Sequence, residues 1–164
     1  SISNSMGTAF AAGDMVALNE QASLLLNLYA IRENKENYLE RMMQKTCPNL
    51  TAVAGYLTGA KLIMLAGSIR DMVMMPASTI QLLGAEKALF RHMINKNSKS
   101  PKHGIIIEHA LVQLVEKKDR GKASRALADK ISLAVKVDYF KGEFIGDRLT
   151  AQLNEKFSRA GGGR

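Results

Sequence analysis

Three histidines, His92, His103 and His109, are the side chains of this 164-residue sequence most suited to hold a metal or exchange protons near neutrality. None stands in an H-x-x-x-H or C-x-x-C arrangement, no G-x-S-x-G elbow surrounds a serine, and no glycine-rich phosphate loop follows a strand. A histidine-dependent nuclease would need the three histidines to converge from distant positions. Catalysis is therefore not expected, and neither a metal nor a cofactor is.

The basic residues are better organised. Lys and Arg number 23 against 15 Asp and Glu, a net charge of +8, which points to a polyanionic partner, nucleic acid before an acidic membrane surface. On a helical wheel over residues 120–140, Lys118, Lys122, Arg125 and Lys136 fall within an arc of about 60°, opposite Ala123, Leu127, Ile131, Ala134 and Val135. This reads as a cationic stripe for phosphates; Asp129, in the same arc, fits a merely solvated face instead. Between residues 85 and 95, Ala85, Ala88, Leu89, His92 and Met93 share the apolar arc. Phe90 and Ile94 are left outside with Lys87 and Arg91. An outward aromatic among cations suits stacking on an unpaired base, or alternatively contact with a protein neighbour.

The elements that must position these residues are helical throughout. Pro occurs only at 48, 76 and 101, and alternating apolar patterns are short, so an all-α chain is expected. Residues 14–45 contain no Pro or Gly and allow one helix of roughly 48 Å. Met15, Leu18, Ala22, Leu25, Tyr29, Arg32, Glu36, Leu39 and Met43 trace a heptad seam with two polar interruptions. Leu24, Leu28, Ile31, Tyr38 and Met42 form a second stripe beside it, which calls for a partner strand outside this sequence. Pro48 starts another helix with Leu50, Val53, Ala54 and Leu57 on one face before Gly59, and Leu62–Met75 forms a third. Gly55, Gly59 and Gly67 suggest close helix approach, and Met72, Met74 and Met75 read as gap fillers.

Ser78 and Gln81 match a capping box, and Gly84 breaks the helix they begin. Lys96–His103 reads as an exposed basic loop. A short apolar piece, Ile105–Ile107, and a weak helix over 109–117 follow. Asp119 can cap a long helix to about Phe140, and Leu149, Leu153 and Phe157 give a last amphipathic one. No apolar run approaches the roughly 18 residues of a membrane span, so a soluble chain without a membrane partner is expected. The lone cysteine suggests a reducing compartment, and the start at Ser1 suggests an excised piece of a longer protein.

The run Leu82-Leu83-Gly84-Ala85-Glu86-Lys87-Ala88-Leu89-Phe90-Arg91-His92 closely resembles the signature of the Nop domain family. Gly59-Ala60-Lys61-Leu62 with Ala66-Gly67-Ser68, Pro76-Ala77-Ser78-Thr79, Pro101-Lys102-His103-Gly104 and Gly121-Lys122-Ala123-Ser124-Arg125 agree in order and spacing. The likeness is strongest to the archaeal scaffold of box C/D ribonucleoproteins. It implies a coiled-coil arm over 8–46 whose partner arm is missing, a compact helical Nop domain over 47–160 and a disordered tail over 161–164.

The resemblance further implies a noncatalytic scaffold that recognises a kink-turn guide RNA together with its small binding protein. Fibrillarin would join through a missing N-terminal domain and carry out guided 2′-O-methylation, and the full-length protein would dimerise through its coiled coil. By the same likeness, Gly84, Ala85, Glu86 and Lys87 face the junction of RNA and protein, while Ala88, Leu89, Phe90 and Arg91 approach the end of the guide and substrate duplex. Lys102, Lys122, Arg125 and Lys136 match RNA-contacting positions, and His92 and His103 are expected to bind RNA or protein with them. The location implied is cytoplasmic in an archaeal-like cell and nucleolar in a eukaryotic one. A spliceosomal relative binding a small nuclear RNA, and a helical interaction module without RNA, are the alternatives.

Overall fold

The computed structural model describes residues 10–161, and every regular element among them is helical. By contacts the chain divides into two units, the first ending at Tyr38 and the second beginning at Leu39. Helix α1 runs unbroken from Ala12 to Thr46. The division therefore falls inside it rather than at the end of the expected coil arm, because its last turns send Leu39 and Met43 into the second unit's core.

Within the first unit residues of both expected apolar stripes lie on the surface. Leu18, Leu24, Leu25, Leu28, Tyr29, Ile31 and Tyr38 are all exposed. The two polar interruptions answer each other, with Arg32 Nε and Glu36 Oε1 2.8 Å apart as an i,i+4 ion pair.

The second unit is built around α8 (Arg120–Tyr139), against which α2 (Pro48–Ala54), α4 (Ile69–Met74), α5 (Ala77–Leu82), α7 (Ala110–Leu114) and α9 (Gly146–Gly161) pack. Ala123, Ser124, Ala126, Ala128 and Ala134 keep the α8 surface low enough for several helices to approach. Leu127, Ile131 and Val135 fill the space against Leu50, Ile80 and Leu153, all buried. Leu149 and Leu153 bury the expected face of α9, and Phe157 packs on it. Gly161, expected in a disordered tail, is the last residue of α9; residues 162–164, like 8 and 9, lie outside the described range.

The start of α2 is capped from a distance. Its N-cap residue, Cys47, offers no side-chain acceptor, and Pro48 removes one donor. The Asp138 carboxylate, from the end of α8, accepts the remaining first-turn N–H groups of Asn49 (3.0 Å) and Leu50 (2.8 Å) and the Asn49 amide nitrogen (2.8 Å). Asn49 Oδ1 in turn accepts the Ile145 N–H at 2.6 Å, joining α2, α8 and the turn before α9. Burial, and secondarily the charge of Asp138, push the Cys47 thiol up to about 11, so it stays protonated and unreactive near neutrality.

Several helix boundaries differ from those expected. Gly55 (φ 75°) ends α2, so Leu57 turns away from the Leu50 face and is exposed, and Gly59 lies inside α3 (Tyr56–Ala66). Of Gly55, Gly59 and Gly67, Gly59 alone serves close packing: a Cβ there would stand 3.1 Å from Met43 Cε, whereas at Gly55 nothing lies within 4 Å. Gly67 (φ 93°) splits the third expected helix, and Ser68 caps α4 by accepting the Asp71 N–H at 3.0 Å. Met72 is buried as a filler should be, but Met74 is 81% exposed. No capping box forms at Ser78; α5 starts directly after Pro76, and Gln81 is buried and bonded elsewhere.

His109 caps α7, its Nδ1 accepting the Leu111 N–H at 3.2 Å. Burial holds its pKa below the usual 6.5, opposed by a hydrogen bond to the Val53 backbone. As pH falls, the unfolded chain takes up the proton first, so this histidine contributes stability above pH 6.5 that is lost as pH drops through the depressed folded value. Melting of wild type should therefore fall more steeply below that pH than melting of His109→Asn, which keeps a cap acceptor but cannot titrate. Parallel profiles would show that His109 does not carry the dependence.

Among the described residues no single helix is long and apolar enough to cross a membrane. The α2–α3 pair is apolar in composition but bent by 112°, and its Leu50, Val53 and Leu62 are spent on the core.

Candidate functional site

The signature run begins where α5 ends. Gly84 takes φ 86°, a left-handed conformation that a side chain resists, and this turns the chain sharply into α6 (Glu86–Ile94). Glu86 folds back so that its Oε1 accepts the Gly84 N–H at 2.6 Å, and its charge sits in the first turn of α6, where the helix dipole favours it. Gly84, Ala85, Glu86 and Lys87 thus form one fixed corner, with the Lys87 side chain outward.

Helix α6 buries none of its residues fully. Ala88, Leu89 and His92 are half-buried, while Phe90 is 60% exposed beside exposed Lys87 and Arg91. The wheel's outward placement of Phe90 and Ile94 holds. Met93, expected inside, is 65% exposed, because the chain leaves the core after His92. His92 Nδ1 lies 2.6 Å from the Ser98 carbonyl oxygen, tying α6 to the basic loop that follows.

That loop returns to the corner. Gln81 Nε2 donates to the Lys102 carbonyl at 2.6 Å, the Gly104 N–H donates to the Gln81 carbonyl at 2.8 Å, and the Ile105 N–H donates to that of Leu83 at 2.8 Å. The Lys102 stem lies along Gly121, where an added Cβ would stand 3.5 Å from Lys102 Cδ. Three motifs distant in sequence, 82–92, 101–104 and 121–125, are therefore brought to one place. Gln81, Gly104 and Gly121 do the positioning, and sequence reasoning assigned none of them that task. A buried glutamine has no periodic signature.

On α8 itself, Lys122, Arg125 and Lys136 are exposed on the side opposite the core, with Asp129 and Leu133 between them. Lys122 Nζ bonds Asp119 Oδ1 at 2.9 Å, and that hydrogen bond holds the Asp119 carboxyl below its usual range. Asp119 accordingly pairs with Lys122 instead of capping α8. Lys118 lies before α8 rather than on its stripe, 2.9 Å from Glu116 Oε2, which raises its pKa. Arg120 is structural, donating to the Val115 and Gln113 carbonyls.

His92 and His109 are engaged with backbone, His103 is half-buried in the loop, and no cluster of three or more His, Cys, Asp or Glu that could hold a metal occurs among the described residues. The arrangement offers cations, backbone at a tight corner and an exposed aromatic, the equipment of a phosphate-binding and stacking surface.

Comparison with known proteins agrees. The family model described as "Nop: snoRNA binding domain, fibrillarin" matches residues 1–159. An uncharacterised NOP5 family protein of Methanocaldococcus jannaschii is 44% identical over 153 residues, 93% of this chain and 36% of that protein. Nucleolar protein 58 of Schizosaccharomyces pombe is 45% identical over 134 residues, 82% of this chain and 26% of that protein. Nucleolar protein 56 of Homo sapiens is 35% identical over 158 residues, 94% of this chain and 26% of that one. The chain thus spans about a third or less of the length of these relatives. In solved structures it is similar to a chain of a fibrillarin/Nop5p complex, with a TM-score of 0.69 and 33% identity, covering 86% of this chain and 52% of that one. With a family model spanning nearly the whole sequence, and its signature run folded into the corner just described, the chain belongs to the Nop family.

Proposed function

We propose that this chain is the RNA-contacting part of a box C/D ribonucleoprotein scaffold. It recognises a kink-turn guide RNA together with the small protein bound to it, and it positions fibrillarin, carried on a further domain of the protein, for guided 2′-O-methylation. It performs no chemistry itself. The observation that carries this reading is the gathering of Lys102, Gly121 and Lys122 beside the Gly84–Lys87 corner, with Phe90 and Arg91 exposed on the helix that follows. The family description supports the choice of RNA over a protein-only partner, and the fibrillarin/Nop5p relative supports fibrillarin as a further partner.

In this reading the corner residues Gly84, Ala85, Glu86 and Lys87 meet the junction of RNA and small protein, and Ala88–Arg91 meet the end of the guide duplex. His92, tied to the Ser98 carbonyl, and His103 complete the RNA- and protein-contacting set. Lys102, Lys122, Arg125 and Lys136 contact phosphates and so fix orientation without reading bases, leaving selection to RNA shape and the bound protein. The exposed apolar residues of α1 pair with the other arm of the coil and support self-dimerisation of the full-length protein. The protein is nucleolar in a eukaryotic cell and cytoplasmic in an archaeal one.

Salt dependence tests the phosphate contacts. Each of Lys122→Glu, Arg125→Glu and Lys136→Glu should weaken assembly and reduce the slope of log affinity against log salt by about one unit. The Lys122–Asp119 pair is exposed and opens at little cost, so it does not exempt Lys122. Unchanged slopes in all three variants would remove the stripe from the interface.

Phe90→Ala separates binding from folding. With the ring 60% exposed, stability should change by less than about 0.5 kcal/mol. Assembly should lose on the order of 1–3 kcal/mol if the ring stacks on a base. A sharp drop in melting temperature would return Phe90 to a structural role.

A further inference from the structure

The outer face of α8 does not end with Lys136. At 100° per residue, position 140 returns to the arc occupied by Lys122 and Lys136. Phe140 stands one turn beyond Lys136, its N–H donating to the Lys136 carbonyl at 3.0 Å. Its ring is 72% exposed. The ring is also held. Tyr139 meets it nearly perpendicular, at 85° with centroids 5.2 Å apart.

The turn beneath the ring is fixed as well. Lys141 sits at φ 54°, its N–H donating to the Asp138 carbonyl at 3.2 Å, and the Gly142 N–H donates to the Val137 carbonyl at 2.9 Å. The Asp138 carboxylate, nearest in sequence to the ring, is engaged by three donors of the first turn of α2. Lys136 and Lys141 flank Phe140, and Glu143 is the other charge of the turn; all three are exposed.

We propose that Phe140 is a stacking platform for an unpaired nucleotide, whose flanking phosphates meet Lys136 and Lys141, so that the phosphate track of α8 ends on an aromatic surface. The platform rests on the RNA-binding function proposed above and extends it to single-stranded RNA leaving the structured part. A preordered ring between two cations is what sequence-tolerant stacking requires, and continuity with the cationic face distinguishes it from the scattered apolar residues normal on any surface.

The test measures assembly of the chain on a kink-turn RNA saturated with its small binding protein, the RNA made with blunt ends or with unpaired extensions. Wild type should bind the extended RNA about tenfold more tightly than the blunt one. Phe140→Ala and Phe140→Leu should lose that gain and Phe140→Trp should keep it, with melting unchanged. If Phe140→Ala proved less stable, Phe140→Leu, which preserves apolar packing but has no π face, would decide. An extension that adds nothing, or a gain that survives in Phe140→Leu, would overturn the platform, while Arg125→Glu still weakening the blunt complex would leave the proposed function standing. Failure of wild type to bind either RNA would overturn both.

Discussion

Replacing Asp138 by alanine is expected to destabilise the second unit by about 3–4 kcal/mol. Three donors lose their acceptor at once: the Asn49 and Leu50 N–H groups and the Asn49 amide nitrogen. Neither N–H has a substitute, because the N-cap residue Cys47 offers no side-chain acceptor. Asn49, buried to 1% exposure, would then hold only the Ile145 N–H, loosening the turn into α9. Asp138→Asn keeps an acceptor oxygen but loses the charge, and should cost about half as much. Urea unfolding of the two variants checks the order, and a loss below about 1 kcal/mol for Asp138→Ala would mean that water replaces the carboxylate without penalty.

Gly104→Ala should damage both stability and RNA assembly. A Cβ at position 104 would lie far inside contact distance of the Leu83 carbonyl oxygen and 2.8 Å from the Leu82 carbonyl carbon. Both are backbone atoms, which cannot rotate aside as a side-chain tip can. The segment must separate, putting at risk the Gly104–Gln81 and Ile105–Leu83 hydrogen bonds at a cost of about 2–3 kcal/mol, and carrying Lys102 away from Gly121. Gly121→Ala is the control: its Cβ would make ordinary 3.5 Å contact with the flexible Lys102 stem and should be tolerated. Equal stability of Gly104→Ala and wild type would show that residues 102–105 are not anchored as described.

Periodicity made the helices legible, and it placed the core of α8 and the exposure of Phe90 correctly, since both depend on local angular position alone. It failed where a single backbone conformation decides. Gly55 and Gly67 were expected to act by closeness but act by positive φ, splitting two expected helices. Ser78, Gln81 and Asp119 matched capping patterns, yet Gln81 was drawn to Lys102 and Asp119 to Lys122 by partners that local spacing does not reveal. Asp138 shows the same limit from the other side, supplying the capping acceptor of α2 from 89 and 88 residues beyond the groups it accepts. Of the candidate site, the signature motifs were readable as words. That 82–92, 101–104 and 121–125 meet was not, because Gln81, Gly104 and Gly121 join them through contacts without periodicity.

Recognition of an RNA together with its bound protein is read out by a gel shift of this chain on a kink-turn RNA, with and without the small kink-turn-binding protein. A discrete shifted complex should form only when that protein is present, because neither the Gly84–Lys87 corner nor the cationic face of α8 reads base sequence. Equal binding to the naked RNA, or no complex with both components present, would contradict it.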